Sequence, residues 1–154
     1  LIYARFDHAA ALRERIFRAR SSGDWSSIPV DQVPPEYRPQ AAAAVVVVTT
    51  PVVPGRTVAH VVDVVSGECV YGVNVLRDLI ASVIDVTGGR NKGAETVLRD
   101  GRLAAVAQLK GEAFARGADA VIGTQIAINE IAGGGKSMLC VVATGTAVKL
   151  AARA

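Results

Sequence analysis

Between Val45 and Leu150 the hydrophobic period changes twice, and this double change constrains the fold more than any other feature of the chain. β-Branched runs come first, helical spacing fills the middle, and strict alternation returns at the end. VVVVTT (45–50) reads as a strand ended by Pro51, Pro54 and Gly55. Thr57 to Ser66 reads as a second strand, broken by Gly67; Cys69, Tyr71, Val73 and Val75 then alternate with Glu68, Gly72 and Asn74 as a half-buried strand. Asn74 is placed to cap a helix with the stripe Leu76, Leu79, Ile80, Val83 and Ile84, and Gly88 is a left-handed terminator. The longest periodic stretch follows, Glu95 to Arg116, with Leu98, Ala105, Val106, Leu109 and Ala113 on one face. It tolerates Gly101 and Gly111, each costing about 1 kcal/mol against Ala in a helix interior, so another helix or subunit is expected to approach its backbone closely. Ile122, Thr124, Ile126 and Ile128 then mark a strand, GGGKS (133–137) a turn, and Met138 to Val148 the returning arm of a hairpin. The order is ββ-αα-ββ: an α+β domain with a small antiparallel sheet packed on a long helix.

Ahead of this domain, residues 1–44 form an arm of different texture. Ile2, Phe6, Ala9, Leu12 and Ile16 recur at three- and four-residue steps, which predicts an amphipathic helix with a basic side of Arg5, Arg13, Arg15, Arg18 and Arg20. Residues 21–40 hold four prolines and read as an extended linker. Trp25 and Tyr37 lie within it, and large aromatics in such a segment are expected to dock on a folded surface, either a neighbouring subunit or a protein partner.

Composition narrows the function classes. Hydrophobic residues make up 51% and charged residues 20%, against about a quarter in an average soluble domain, so wholesale disorder is excluded. Only 5% are aromatic, and Ala and Val dominate the apolar count. Small side chains bury little area each, which points to apolar surface covered by other copies of the chain. The longest apolar run, Ala41 to Val48, is far short of the roughly twenty residues of a membrane helix, and the first twenty residues lack the apolar core of a signal peptide. A cytoplasmic protein is expected. A net charge of +3 with no basic block does not predict nucleic-acid binding.

No chemical motif is complete. GGGKS resembles the end of a phosphate-binding loop, but Glu130 stands where the first glycine belongs and a strand pattern follows instead of a helix. GGRNKG (88–93) could nest an anion or simply connect two helices. His60, Asp63, Glu68, Cys69 and Cys140 are the candidates for a soft or transition metal, although their spacing matches no known ligand pattern. Free cysteines on apolar strand faces act mainly as small hydrophobes; a shared site for Cys69 and Cys140 requires their strands to be neighbours. Glu68, Asn74, Arg77 and Asp78 form the densest polar cluster in an apolar stretch, with Arg77 and Asp78 opening a helix. No nucleophile–base pair or cofactor fingerprint is present, so an enzyme would need a site completed at a subunit interface.

From VTTP (48–51) through SGECVYGVNVLRD (66–78), GGR (88–90), RGADAVIG (116–123) and SML (137–139) to GTAV (145–148), the chain resembles the YbjQ family of small bacterial proteins, which carries a heavy-metal-binding label. The resemblance implies a dodecin-like α+β subunit assembled as a homopentamer, with no known reaction. It transfers Glu68, Asn74, Arg77, Asp78 and Arg90 as candidate ligand-binding positions and places no metal ligand on the cysteines. The expectation is a ring-forming binding or scaffold protein, with a metal- or small-ligand-binding module as the alternative.

Overall fold

The arm folds onto its own chain. The computed structural model describes residues 2–84 and 92–152, and begins with α1 (Ile2–Ser22). Leu12 and Ile16, one helical turn apart, pack with Ala19 against Trp25, Ile28, Val33 and Ala41. Residues 21–40 are not extended. They make two 3-10 turns, Val30–Gln32 and Pro35–Tyr37, and enter α2 (Arg38–Ala43). Proline permits this where it opens a turn of helix, because the N–H it lacks there has no intrahelical partner anyway. Pro35 and Pro39 both occupy such opening positions. Trp25 is only 6% exposed. Its ring lies 6.1 Å from that of Tyr37, and the Arg20 guanidinium sits 4.8 Å over the other aromatic's centroid. The folded surface expected beneath Trp25 and Tyr37 is therefore the arm's own core, joined by Phe114 from the domain.

The domain follows the expected ββ-αα-ββ order: β1 (Val46–Val47), β2 (Val58–Tyr71), α3 (Val73–Ile84), α4 (Lys92–Ala115), β3 (Ala120–Gly133) and β4 (Lys136–Leu150). The four strands form one sheet in the order β1-β3-β4-β2. Both pairings of β4 are antiparallel. β1 alone runs parallel to its neighbour, β3, which the long connection through β2, α3 and α4 allows. VVVVTT contributes two residues to the regular ladder, Val46 and Val47, and backbone hydrogen bonds to the neighbouring strand continue beyond them, with the Gly123 and Thr124 amides donating to the Thr50 and Val48 carbonyls at 2.9 and 3.0 Å. The hairpin is as expected. β3 and β4 meet at the pair Gly133 and Lys136, and the two turn residues, Gly134 and Gly135, have φ of 56° and 74°. Two successive left-handed residues match the twist of the strands, and glycine adopts them without steric cost. GGGKS is therefore a hairpin tip and not a phosphate loop.

Gly67 does not break a strand. β2 runs through it without interruption, and α4 crosses the sheet directly above it. A Cβ at this position would lie 2.5 Å from the Leu109 amide nitrogen and closer still to the Ala105 carbonyl oxygen. Gly101, Ala105, Leu109 and Ala113 recur every fourth residue along the buried side of α4. They pack on Val65, Val121, Val141, Ala143 and Ala147 of the sheet. The small side chains of the composition are thus what lets α4 lie close to the strands. Gly101 faces Tyr71 and Val141, so a strand, and not a second helix or subunit, approaches it; Gly111 has open space around it. Asn74 lies inside the first turn of α3 and not at its cap. The side chains of the Leu76–Ile84 stripe, Gly88 and most of GGRNKG lie outside the described residues.

Candidate functional site

The residues singled out in the sequence are scattered. Glu68 stands exposed on β2, opposite Val142 of β4, and accepts a hydrogen bond from Ser66 Oγ at 2.6 Å. Its amide donates to Gln108 Oε1 of α4 at 2.9 Å. Asn74, Arg77 and Asp78 share one exposed side of α3, three and four residues apart, with Arg77 and Asp78 in its second turn and not at its start. Among the described residues no hydrogen bond or ion pair joins this trio to Glu68. Arg90 lies outside the described residues.

The metal candidates are also kept apart. Cys69 and Cys140 do lie on neighbouring strands, but the register pairs Cys69 with Val141 and Val70 with Cys140. Residues directly opposite in an antiparallel pair share a face, and the next residue along faces the other way. Cys69 therefore packs towards α4 and Cys140 points to the opposite side of the sheet. Both are free thiols. His60 is nine residues from Cys69 along the same strand, about 30 Å at strand rise. Asp63 accepts a hydrogen bond from Arg116 Nε at 3.0 Å. Among the described residues no three potential ligands converge.

Two features were not singled out in the sequence. The first is a part-buried ion pair in the seam between arm and domain. Asp119, with a side chain 8% exposed, accepts from Lys149 Nζ at 2.8 Å and from the Leu150 amide at 2.9 Å. Lys149 also donates to the Ser26 carbonyl at 3.2 Å, fastening the arm to the end of β4. The available signal was a lone acid in GADAVIG and a lone base in GTAVKL, each isolated in an apolar run. The second feature is the open sheet. The face turned away from α4 carries Val64, 72% exposed, with Val61 and Val70 of β2 and Met138 of β4. Val53, from the loop ahead of β2, covers one end of this face by packing on Ala120, Val148 and Leu150. Both sheet edges are open as well. β2 is a terminal strand of fourteen residues, and from Gln125 to Gly133 β3 has no outer neighbour among the described residues. Ile126, Ile128 and Ile131 are exposed along that second edge.

Tyr71 closes the far end of β2. Its phenol pKa is raised above 10.0, first by burial, then by a hydrogen bond with Cys69 and the negative potential of Cys69 and Asp100. Arg116 is held more firmly protonated by its hydrogen bonds to Glu112 and Asp63.

A four-stranded sheet with one long helix laid across it and two open edges defines a small α+β domain, here preceded by a folded helical arm. The chain belongs to the YbjQ family: the family model described as "Putative heavy-metal-binding" matches residues 45–151. It is 44% identical over 105 residues to a UPF0145 protein of Pseudomonas fluorescens, covering 68% of this chain and 98% of the relative. A UPF0145 protein of Halalkalibacterium halodurans is 43% identical over 105 residues, covering 68% and 95% respectively. Among solved structures, a protein of unknown function in the DUF74 family from Pediococcus pentosaceus aligns with a TM-score of 0.45 at 18% identity, covering 68% of this chain and 96% of the other. No described helix is long and apolar enough to cross a membrane.

Proposed function

We propose that this protein is a ring-forming, homo-oligomeric binding or scaffold protein of the cytoplasm, pentameric as the family resemblance implies. The observation that carries this reading is the pair of open edges on opposite sides of one sheet. Native proteins blunt long apolar edges with lysine, proline or a covering segment, because an unpaired row of N–H and C=O groups templates pairing with another chain. From Val64 to Tyr71 β2 has no lysine or proline, and neither has β3 from Gln125 to Gly133. Joining the β2 edge of one copy to the β3 edge of the next is a head-to-tail contact, which closes into a ring when the rotation per subunit allows it. It would also bring the exposed Ile126 and Ile128 of one copy beside the β2 edge of the next.

Native mass spectrometry is expected to give about five times the 16.0 kDa chain mass. Ile128→Lys, placed on the free β3 edge, is expected to leave folded monomers. A wild-type protein that stays at 16.0 kDa at micromolar concentration overturns the proposal.

The family description favours a second reading, a metal-binding module. Since Cys69, Cys140 and His60 do not converge within one chain, such a site would draw ligands from two subunits. Untagged protein dialysed against zinc or copper should then hold up to one metal per chain, because a head-to-tail ring has as many interfaces as subunits, and the metal should be lost in the monomeric Ile128→Lys variant. No retained metal rejects this reading.

A further inference from the structure

The seam between arm and domain holds an open-mouthed cavity of about 560 Å³, a size typical of small-molecule sites. Its walls combine the arm segment around Trp25 and Ile28, Arg56 from the loop before β2, Phe114 at the end of α4, and the Asp119–Lys149 pair. The family match begins at residue 45, so the arm wall is an addition of this chain to the shared domain.

The hydrogen-bonding capacity left in this cavity is unbalanced. Its carboxylates are already engaged: Asp119 holds Lys149 Nζ and the Leu150 amide, and Asp24 Oδ1 accepts from the amide and hydroxyl of Ser26 at 3.0 and 2.6 Å. Lys149 is bound to Asp119 and the Ser26 carbonyl. The donors are in excess. The indole N–H of Trp25 is buried without a partner, an unusual condition for a polar group inside a protein. Arg56 is half-buried, donates at 3.2 Å to the Ala151 carbonyl, and is paired with no carboxylate among the described residues. A guanidinium offers five N–H donors, so most of its capacity remains.

We propose that this cavity binds a small monocarboxylate with an apolar body. The carboxylate pairs with Arg56 in a charge-assisted, forked hydrogen bond. The body lies against Ile28, Phe114 and the indole of Trp25. The arm is then part of a binding site and more than a tether. This inference does not depend on assembly, because every residue of the site comes from one chain.

Trp25 is the only tryptophan, so its emission reports the site directly. Full-length protein is titrated with octanoate and, separately, with octanamide, which has the same chain and no charge. Octanoate is expected to shift Trp25 emission saturably, with octanamide at least about tenfold weaker. Arg56→Gln is expected to weaken octanoate by a similar factor. Arg56→Lys, with retained charge and a lost fork, is expected to fall between. The absence of a saturable shift overturns the proposal, as does equal binding of octanoate and octanamide. The second comparison uses only wild-type protein, so it holds even where an Arg56 variant fails to fold. Binding that survives in the monomeric Ile128→Lys variant separates this site from the assembly reading.

Discussion

Replacing Gly67 with alanine tests the central packing claim, that α4 lies on the sheet only because this strand position has no side chain. The new methyl would sit 2.5 Å from the Leu109 amide nitrogen and closer to the Ala105 carbonyl, and both are backbone atoms of a long helix. No rotamer change relieves such a contact. Either α4 lifts from β2 by roughly 1 Å or the strand distorts, and Ala105, Leu109 and Ala113, all fully buried, lose contact with Val65 and Val141. Overpacking of this kind costs about 3 kcal/mol, a large part of the roughly 5–15 kcal/mol that holds a domain together. The same substitution elsewhere calibrates it. At Gly101 the nearest atoms are Tyr71 Cε2 at 2.9 Å and Val141 Cγ2 at 3.0 Å, side-chain atoms able to yield, so crowding of about 2 kcal/mol, offset by about 1 kcal/mol of helix propensity, leaves Gly101→Ala costing about 1 kcal/mol. At Gly111 nothing lies within 4 Å, and alanine gains helix propensity worth about 1 kcal/mol. Urea denaturation of the three variants under one set of conditions should therefore order them Gly67→Ala, Gly101→Ala, wild type, Gly111→Ala. With a slope of about 2 kcal/mol per molar urea, the first midpoint falls by roughly 1.5 M. A Gly67→Ala midpoint within about 0.3 M of wild type, or a Gly111→Ala variant less stable than Gly67→Ala, would refute this account of the helix–sheet contact.

Two further outcomes follow from the seam and from the end of β2. Asp119→Ala leaves Lys149 and the Leu150 amide without their shared acceptor, and Lys149→Met leaves the Asp119 carboxylate without its cation, so each should destabilise the chain by about 2 kcal/mol; a melting temperature unchanged from wild type in either variant would contradict the role given to the pair. Because the folded chain raises the Tyr71 pKa and so favours the neutral phenol, its contribution to stability is complete below about pH 10, the unfolded value, and is lost as pH rises through the folded value. Absorbance titration should show a tyrosine ionising above pH 10.0 that is lost in Tyr71→Phe, and an unchanged titration in that variant would exclude Tyr71 as the source.

The candidate site was only partly legible in the sequence. The polar set was found by type, and Asn74, Arg77 and Asp78 do share one side of α3, because helical spacing fixes that relation locally. Glu68 was grouped with them by closeness along the chain, yet it stands on a strand before the helix begins. Cys69 and Cys140 show the limit most clearly. Their strands are neighbours, as a shared site needs, but an offset of one residue in register puts the thiols on opposite faces, and register is a property of the strand pair that neither segment carries alone.

By itself the sequence determined the order of elements, the hairpin at Gly134–Gly135, the buried side of α4 and an arm led by a helix. These follow from period and from φ, which act over a few residues. Tertiary structure decided the rest. It turned Gly67 from an expected break into the crossing point of α4, since a glycine chosen for close approach and one chosen for a turn look alike in a sequence. It folded the proline-rich segment around Trp25, which docks in the arm's own core. It paired Asp119 with Lys149 across thirty residues, closing a seam that the spacing of neither residue announces. It also left two edges of the sheet open, a feature that exists only once the strand order is set.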